Sequence, residues 1–176
     1  MIKLKAEEIV LRFKWLSLAS AAGGAIPIPG TSACIDLGIL VAEAFFQKKQ
    51  LGIDDDTINS RALKVGSNKG DVVKMIGTNL KQDNKMSKTM AGILSVMAKS
   101  QTAQATAMGA VLGAQMAVSE AIETGALAIP LLGMLISGAI SGGTTYFMLN
   151  QMLKAHSAIA QESIKVFSKM ASEMQK

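Results

Sequence analysis

The sequence predicts an all-α fold, a single compact multi-helix bundle that spans residues 1–176 as one domain. Of the 176 residues 49% are apolar, yet only 4% are aromatic. Sheets favour β-branched and aromatic side chains, whereas the abundant Ala, Gly and Met of this chain suit closely packed helices. Only three prolines occur, so few positions must break a helix. We expect about six or seven helices, with two Ile-Pro breaks as corners.

Two apolar helices separated by a break are predicted at the start of the chain. Ile9, Phe13 and Leu16 have helical spacing, which predicts a first helix over residues 5–18. A second helix is predicted over residues 31–50 and is apolar almost all round. Its polar side chains share one narrow stripe, which is typical of a mostly buried helix. The stripe consists of Ser32, Asp36, Glu43 and Gln47. The predicted break before this helix consists of Ile26, Pro27, Pro29 and Gly30.

An acidic cluster opens the polar middle of the chain. Asp54 to Thr57 has the composition of a helix N-cap. It does not match a calcium-binding loop, because Asn59 stands where that loop requires Gly and no Glu follows at the twelfth position. Residues 57–85 are predicted to form two short basic helices joined through residues 66–70. This stretch lacks interleaved aromatic residues, so we expect no nucleic-acid partner.

The C-terminal half contains long stretches without charge. A helix is predicted over residues 86–123, an uncharged segment over 124–153, and an amphipathic helix from Tyr146 onward. Small residues four apart allow a second helix to approach closely. These positions of close packing or insertion are Gly109, Gly113, Gly138 and Gly142, and the second helix break consists of Ile129, Pro130 and Gly133.

The final amphipathic helix is the predicted surface for a membrane or a partner. Its apolar face is broad, and its lysines could meet anionic headgroups. The alternative is that this face closes the core or binds another copy. The predicted surface residues are Leu149, Met152, Ile159, Ile164, Phe167 and Met170, with Lys154, Lys165 and Lys169 beside them.

A different membrane role is the alternative hypothesis. The uncharged segments 100–119 and 124–153 approach or exceed the ~20 residues that span a bilayer. Their many small residues are more typical of buried helices than of lipid-facing ones. A helical protein that hides such a hairpin and releases it at a membrane would insert or form pores.

No residue pattern in the chain indicates catalysis. His156 is the only histidine, and no nucleophile or carboxylate pair lies near it in sequence. Cys34 is the only cysteine, lies in an apolar stretch, and is interpreted as a small core residue of a cytosolic protein. We therefore expect no catalytic residues, no metal site and no cofactor.

A short internal similarity suggests a pseudo-repeat. Residues 25–30 and 128–133 share the pattern Ala-Ile-Pro, two residues, Gly, and each precedes an apolar helix. Two units, 12–56 and 115–170, could pack as a pseudo-twofold pair. A chance match in an Ala-rich chain is the rival interpretation.

Several of these motifs together resemble the immunity-related (interferon-inducible) GTPases. The matching features are Ile26-Pro27-Ile28-Pro29-Gly30, an Asp early in the next helix (Asp36), Leu51-Gly52-Ile53-Asp54, Ile129-Pro130-Leu131-Leu132-Gly133 and Ser141-Gly142-Gly143-Thr144-Thr145-Tyr146. In their order they resemble the C-terminal helical region of that family. No Gly-x4-Gly-Lys-Ser/Thr phosphate loop occurs in the chain, so GTP binding is not carried over.

The resemblance implies a helical platform for oligomerisation and membrane association in cell-autonomous defence. We therefore expect a non-enzymatic membrane- and protein-interaction module. Its expected partners are anionic lipid, further copies of the chain and a separate GTPase in trans. Its expected location is the cytoplasm, with peripheral or conditional attachment to membranes.

Overall fold

Six α-helices make up the part of the chain that the computed structural model describes, which is residues 2–24, 31–86, 88–97 and 130–175. They are α1 (Ile2–Gly24), α2 (Thr31–Leu51), α3 (Asp55–Lys64), α4 (Lys69–Gln82), α5 (Lys88–Met97) and α6 (Pro130–Met174). No strand occurs among these residues. The all-α bundle predicted from composition is confirmed.

The longest helix, α6, replaces two predicted elements. The uncharged segment and the final amphipathic helix were expected to be separate, with the latter beginning at Tyr146. Instead one helix of 45 residues runs from Pro130 to Met174. Proline is well tolerated at the first position of a helix, because its missing N–H would have no partner there. Pro130 therefore begins α6, and Gly142 and Gly143 continue it without a break.

Helices α1 and α2 pack against α6 as a three-helix group. The Phe13 ring of α1 meets the Tyr146 ring of α6 edge-to-face, with 6.3 Å between centroids. The Lys5 ammonium at the start of α1 donates a hydrogen bond of 2.8 Å to the carbonyl of Gln50 at the end of α2. Together with the contact between Gly23 and Ile35, this makes α1 and α2 antiparallel.

Short helices α3, α4 and α5 complete the core beside the C-terminal half of α6. Asp54 caps α3 as predicted, since its side chain accepts hydrogen bonds from the Thr57 amide (3.1 Å) and hydroxyl (2.7 Å). Asn68 caps α4 by accepting from the Asp71 amide at 2.9 Å. Their buried side chains include Ile58, Ala62, Val72, Ile76, Leu80, Ile93 and Met97.

The predicted first helix break, with Ile26, Pro27, Pro29 and Gly30, lies outside the described residues, as do Gly109, Gly113 and Ile129. Residues 100–119 of the proposed hairpin also lie outside them. Gly133 and Gly138 are helical positions within α6. The pseudo-repeat of units 12–56 and 115–170 stays a prediction.

Candidate interaction surface

The apolar face of the final helix, predicted as an external surface, is mostly core. Leu149, Met152 and Ile159 have no exposed surface, and Phe167 is only 9% exposed. The assignment of these four residues to a membrane or partner surface is therefore corrected. An amphipathic helix presents its apolar stripe to whatever covers it, and in this chain α1, α2, α4 and α5 do so.

The lysines of α6 and two of its apolar side chains do face solvent. Lys154, Lys165 and Lys169 are exposed. Ile164 is 47% exposed and Phe147, which was not predicted, is 61% exposed. The remaining predicted residue, Met170, is half-buried against the core. The outer side of α6 is therefore basic with scattered apolar groups.

One of these lysines already has an anionic neighbour. The Lys165 ammonium donates to a carboxylate oxygen of Glu162 at 2.9 Å, and the Asn79 amide of α4 donates to the other at 2.9 Å. The hydrogen bond and the charge of Glu162 raise the pKa of Lys165. Lys154 and Lys169 form no ion pair within the described part of the chain. They are the more available cations for an anionic partner.

A line of large apolar side chains covers the outward face of α1. Leu4 is 67% exposed, Leu11 65%, Trp15 75% and Leu18 60%. Their spacing of seven, four and three residues places them along one side of a helix. We call these four residues the α1 ridge.

The α1 ridge lies opposite the face that α1 uses for the core. Ile9 and Phe13 are buried, and Leu16 packs against the same cluster. These positions fall about half a helical turn from the ridge at 100° per residue. A helix with large apolar groups on both faces can bury only one within a small bundle, so the other stays exposed until something outside the described bundle covers it.

Three residues of the predicted polar stripe of α2, Asp36, Glu43 and Gln47, are buried and form a polar seam with α1 and α6. The Ser20 hydroxyl of α1 hydrogen-bonds the Asp36 carboxylate and lies 3.0 Å from the Thr145 hydroxyl of α6. All three side chains are buried. These contacts fix the positions of the three helices along their axes relative to one another, because a buried carboxylate is stable only when its hydrogen-bond partners stay in place.

The seam continues through Glu43 and Arg12. The Arg12 guanidinium lies 3.4 Å from a Glu43 oxygen and 3.6 Å above the Phe46 ring. Burial raises the pKa of Glu43, although the charge of Arg12 opposes that shift. The Arg12 side chain thus already contacts α2, and the Glu43 carboxylate neutralises part of its charge.

His156 is a core residue at the end of the seam. Its Nδ1 donates to Oε1 of Gln47 at 2.9 Å, and the ring is fully buried. Burial and the nearby Lys48 charge lower the pKa of His156 to about 3, so the ring is neutral at physiological pH. Its Nε2 has no hydrogen-bond partner among the described residues. A neutral, enclosed imidazole cannot exchange protons with an external substrate.

The described residues contain no group of three or more His, Cys, Asp or Glu side chains that could hold a metal ion. None of the helices in the described ranges is both long and apolar enough to cross a bilayer. The candidate contact surfaces among the described residues are the α1 ridge and the basic outer side of α6.

Sequence comparison gives the relationship of the chain to known proteins. Over 145 residues it is 32% identical to interferon-inducible GTPase 5 of Rattus norvegicus, and equally so to that of Bos taurus. The chain is related to the interferon-inducible GTPases. The match covers 82% of this chain but 27% of each relative, so the chain spans little more than a quarter of their length. No family model matches the chain, and no solved structure matches it.

This similarity supports the relationship to the interferon-inducible GTPases that the sequence motifs predict. The α1 ridge was not predicted, although its signal is present in the sequence. Leu4, Leu11, Trp15 and Leu18 have helical periodicity of their own, beside that of Ile9, Phe13 and Leu16. Periodicity alone cannot tell which of two apolar faces of one helix becomes the core.

Proposed function

We propose that this chain is a non-catalytic interaction module, equivalent to the C-terminal helical region of the interferon-inducible GTPases, that acts in cell-autonomous defence. The observation that carries the proposal is the α1 ridge, four large apolar side chains each at least 60% exposed. Contiguous apolar surface of this kind marks a contact site for protein or membrane on a folded domain. The buried polar seam supports it by holding the ridge on a rigid scaffold.

Trp15 gives the ridge the character of a binding surface. It is the only tryptophan of the chain and is 75% exposed. Tryptophan is enriched at the centres of protein interfaces and at membrane interfaces, where a large ring with one polar N–H contributes much contact area. A solvent-facing Trp between two exposed leucines lowers solubility, because its apolar surface is hydrated unfavourably. Burial of that surface by a partner is therefore favourable.

Membrane association is the second role in this proposal, supported by the outer side of α6. Lys154 and Lys169 are exposed cations, and Phe147 and Ile164 are exposed apolar groups on the same helix. A basic surface with apolar side chains attaches peripherally to anionic lipid, and each lysine near the surface contributes about 1 kcal/mol. We place the module in the cytoplasm, attached reversibly to membranes, where it assists a separate GTPase in trans.

Flotation with phosphatidylserine vesicles and sedimentation velocity together test the proposal. Leu11→Ser with Trp15→Ser removes the ridge, and Lys154→Glu with Lys169→Glu reverses the charge of α6. Leu63→Ser is the matched control, since Leu63 on α3 is 75% exposed but lies outside both surfaces.

The ridge variant is expected to lose self-association, vesicle binding or both, while circular dichroism and unfolding remain unchanged. The α6 variant is expected to lose vesicle binding at low salt. The Leu63 control is expected to retain both properties. A ridge variant that matches the control in both assays contradicts the proposal.

A further inference from the structure

We propose that the α1 ridge binds the same ridge of a second copy, with the two α1 helices antiparallel about a twofold axis at Leu11. This inference rests on the proposed function, because it names the partner of the ridge. Most soluble oligomers are closed dimers in which one surface patch contacts itself. A self-complementary patch must then place its own apolar and charged groups opposite suitable partners.

The leucines of the ridge are arranged symmetrically about Leu11. Leu4 lies seven residues before it and Leu18 seven residues after it. In an antiparallel pair centred on Leu11, Leu4 of each copy therefore meets Leu18 of the other, and Leu11 meets its own counterpart. Trp15 then lies at the height of Glu7 of the other copy but on the opposite side of the leucine line, where its ring packs against the leucines.

The exposed charges beside the ridge select this register. Glu7 and Lys14 are exposed and lie seven residues apart on one side of the leucine line. In the antiparallel pair centred on Leu11, Glu7 of each copy lies almost level with Lys14 of the other. The two positions differ by one residue, which is ~1.5 Å along the helix axis. The dimer thus forms two such ion pairs. Neither residue forms an ion pair within the described part of the chain.

Other arrangements of the two helices satisfy these charges less well. Moving the axis from Leu11 to the height of Phe13 brings Lys14 beside Lys14 of the other copy. A parallel pair places Lys14 opposite Ala19, and Glu7 opposite Arg12. Arg12 is already held by Glu43 at 3.4 Å and by the Phe46 ring. Like charges in contact oppose association, so the antiparallel register at Leu11 is favoured.

The size of the contact sets the expected affinity. The ridge runs from Leu4 to Leu18, a separation of 14 positions and therefore about 21 Å of helix. One helix pair of this length buries less than the ~1,200–2,000 Å² of a standard stable interface, so we expect dissociation in the micromolar range. The dimer should therefore form and dissociate with protein concentration.

Charge exchange tests the pairing directly in sedimentation velocity of the full chain. Glu7→Lys and Lys14→Glu should each weaken the dimer by about tenfold or more, because both ion pairs become repulsive. The double variant Glu7→Lys with Lys14→Glu should restore the dimer. An equimolar mixture of the two single variants should form heterodimers, since every contact between them is again of opposite charge.

Cysteine pairs test the direction of the helices in a Cys34→Ser background. A mixture of Leu4→Cys and Leu18→Cys chains should form a disulfide between the two variants, and neither chain should crosslink to itself. Self-crosslinking of each single variant without a mixed product overturns the antiparallel arrangement. Absence of rescue in the double charge variant, with the wild type dimeric, overturns the assigned register.

A wild-type chain that stays monomeric well above micromolar concentrations overturns the inference altogether. If the ridge variant Leu11→Ser with Trp15→Ser then still loses vesicle binding, the proposed function stands and only the partner is wrong. If that variant loses nothing, both fail.

Discussion

Gly142 of α6 packs directly against the backbone of Ser17 in α1. A methyl group at Gly142 would lie 2.7 Å from the Ser17 carbonyl oxygen and 3.0 Å from Cβ of Ala21. Helices that approach this closely need a residue without a side chain at the contact. The same contact holds α1 in the orientation that turns its ridge outward. Gly142 is one of four glycines predicted to allow close helix packing, and in the structure it packs against Ser17 and Ala21 of α1.

Gly142→Ala should destabilise the bundle because the added methyl group meets backbone that cannot yield. We expect a loss of about 1–3 kcal/mol in the free energy of unfolding, as for other overpacking substitutions. Gly143→Ala is the matched control, since nothing lies within 4 Å of a methyl group there. That variant should gain roughly 0.5–1 kcal/mol from higher helix propensity. Urea unfolding measures both, and an equal effect of the two would refute the close contact.

Asp36→Ala should weaken the bundle because it removes the acceptor at the buried polar seam. The Ser20 hydroxyl would lose its acceptor at a buried site, where the Thr145 hydroxyl lies 3.0 Å from it. We expect a cost of about 2–4 kcal/mol. Asp83→Ala is the comparison, because Asp83 is exposed and its ion pair among the described residues is with the exposed Lys85, so its removal should change stability little. Urea unfolding with similar midpoints for both variants would argue against a structural role of the seam.

His156 should make the bundle less stable in acid. Its folded pKa of about 3 lies below the ordinary value of 6.5, so between these values the unfolded chain binds a proton that the folded chain excludes. The contribution of His156 is complete above the unfolded pKa and is lost as the pH falls toward about 3. From about pH 7 to pH 4.5 it should decrease by roughly 2–3 kcal/mol.

His156→Gln isolates this effect, because the raised pKa of Glu43 acts in the opposite direction in both proteins. Unfolding free energies at the two pH values should fall more steeply for the wild type than for the variant. Parallel pH dependence in the two proteins would show that the imidazole is not buried in its neutral form.

The two faces of α1 should respond differently to truncation. Phe13 has no exposed surface, whereas Leu11 is 65% exposed. Phe13→Ala should lower the free energy of unfolding by about 3–5 kcal/mol. Leu11→Ala should change it by less than about 0.5 kcal/mol at concentrations where the chain is monomeric. Chemical unfolding of dilute protein measures both, and a large loss at Leu11 would place that side chain in the core.

Helical periodicity predicted where the core of α1 lies but not what its second face does. Ile9, Phe13 and Leu16 have the spacing of a buried stripe; the structure buries Ile9 and Phe13 and packs the partly buried Leu16 against the core. For α2 the narrow polar stripe predicted a mostly buried helix, yet Glu43 and Gln47 of that stripe are themselves buried whereas the apolar Phe45 is 40% exposed. The inward orientation of Asp36 and Gln47 depends on partners distant in sequence, Ser20 and His156, which no local pattern reveals.

Local sequence patterns also could not show that the apolar face of α6 belongs to the core and not to an external surface. An amphipathic helix with a broad apolar face has the same sequence signature whether a membrane or the rest of the bundle covers it. Leu149, Met152 and Ile159 face the core because α1, α2, α4 and α5 pack against α6. Lys154, on the opposite side, could be assigned to solvent from sequence alone.

The fluorescence of Trp15 tests most directly whether the α1 ridge is a contact surface. Trp15 is the only tryptophan, so its emission and its quenching by acrylamide report this surface alone. As protein concentration rises through the micromolar range, or as phosphatidylserine vesicles are added, we expect a blue shift and loss of quenching. Emission that stays red-shifted and freely quenched at every concentration, with and without vesicles, would contradict the assignment of the α1 ridge as the contact surface of this protein.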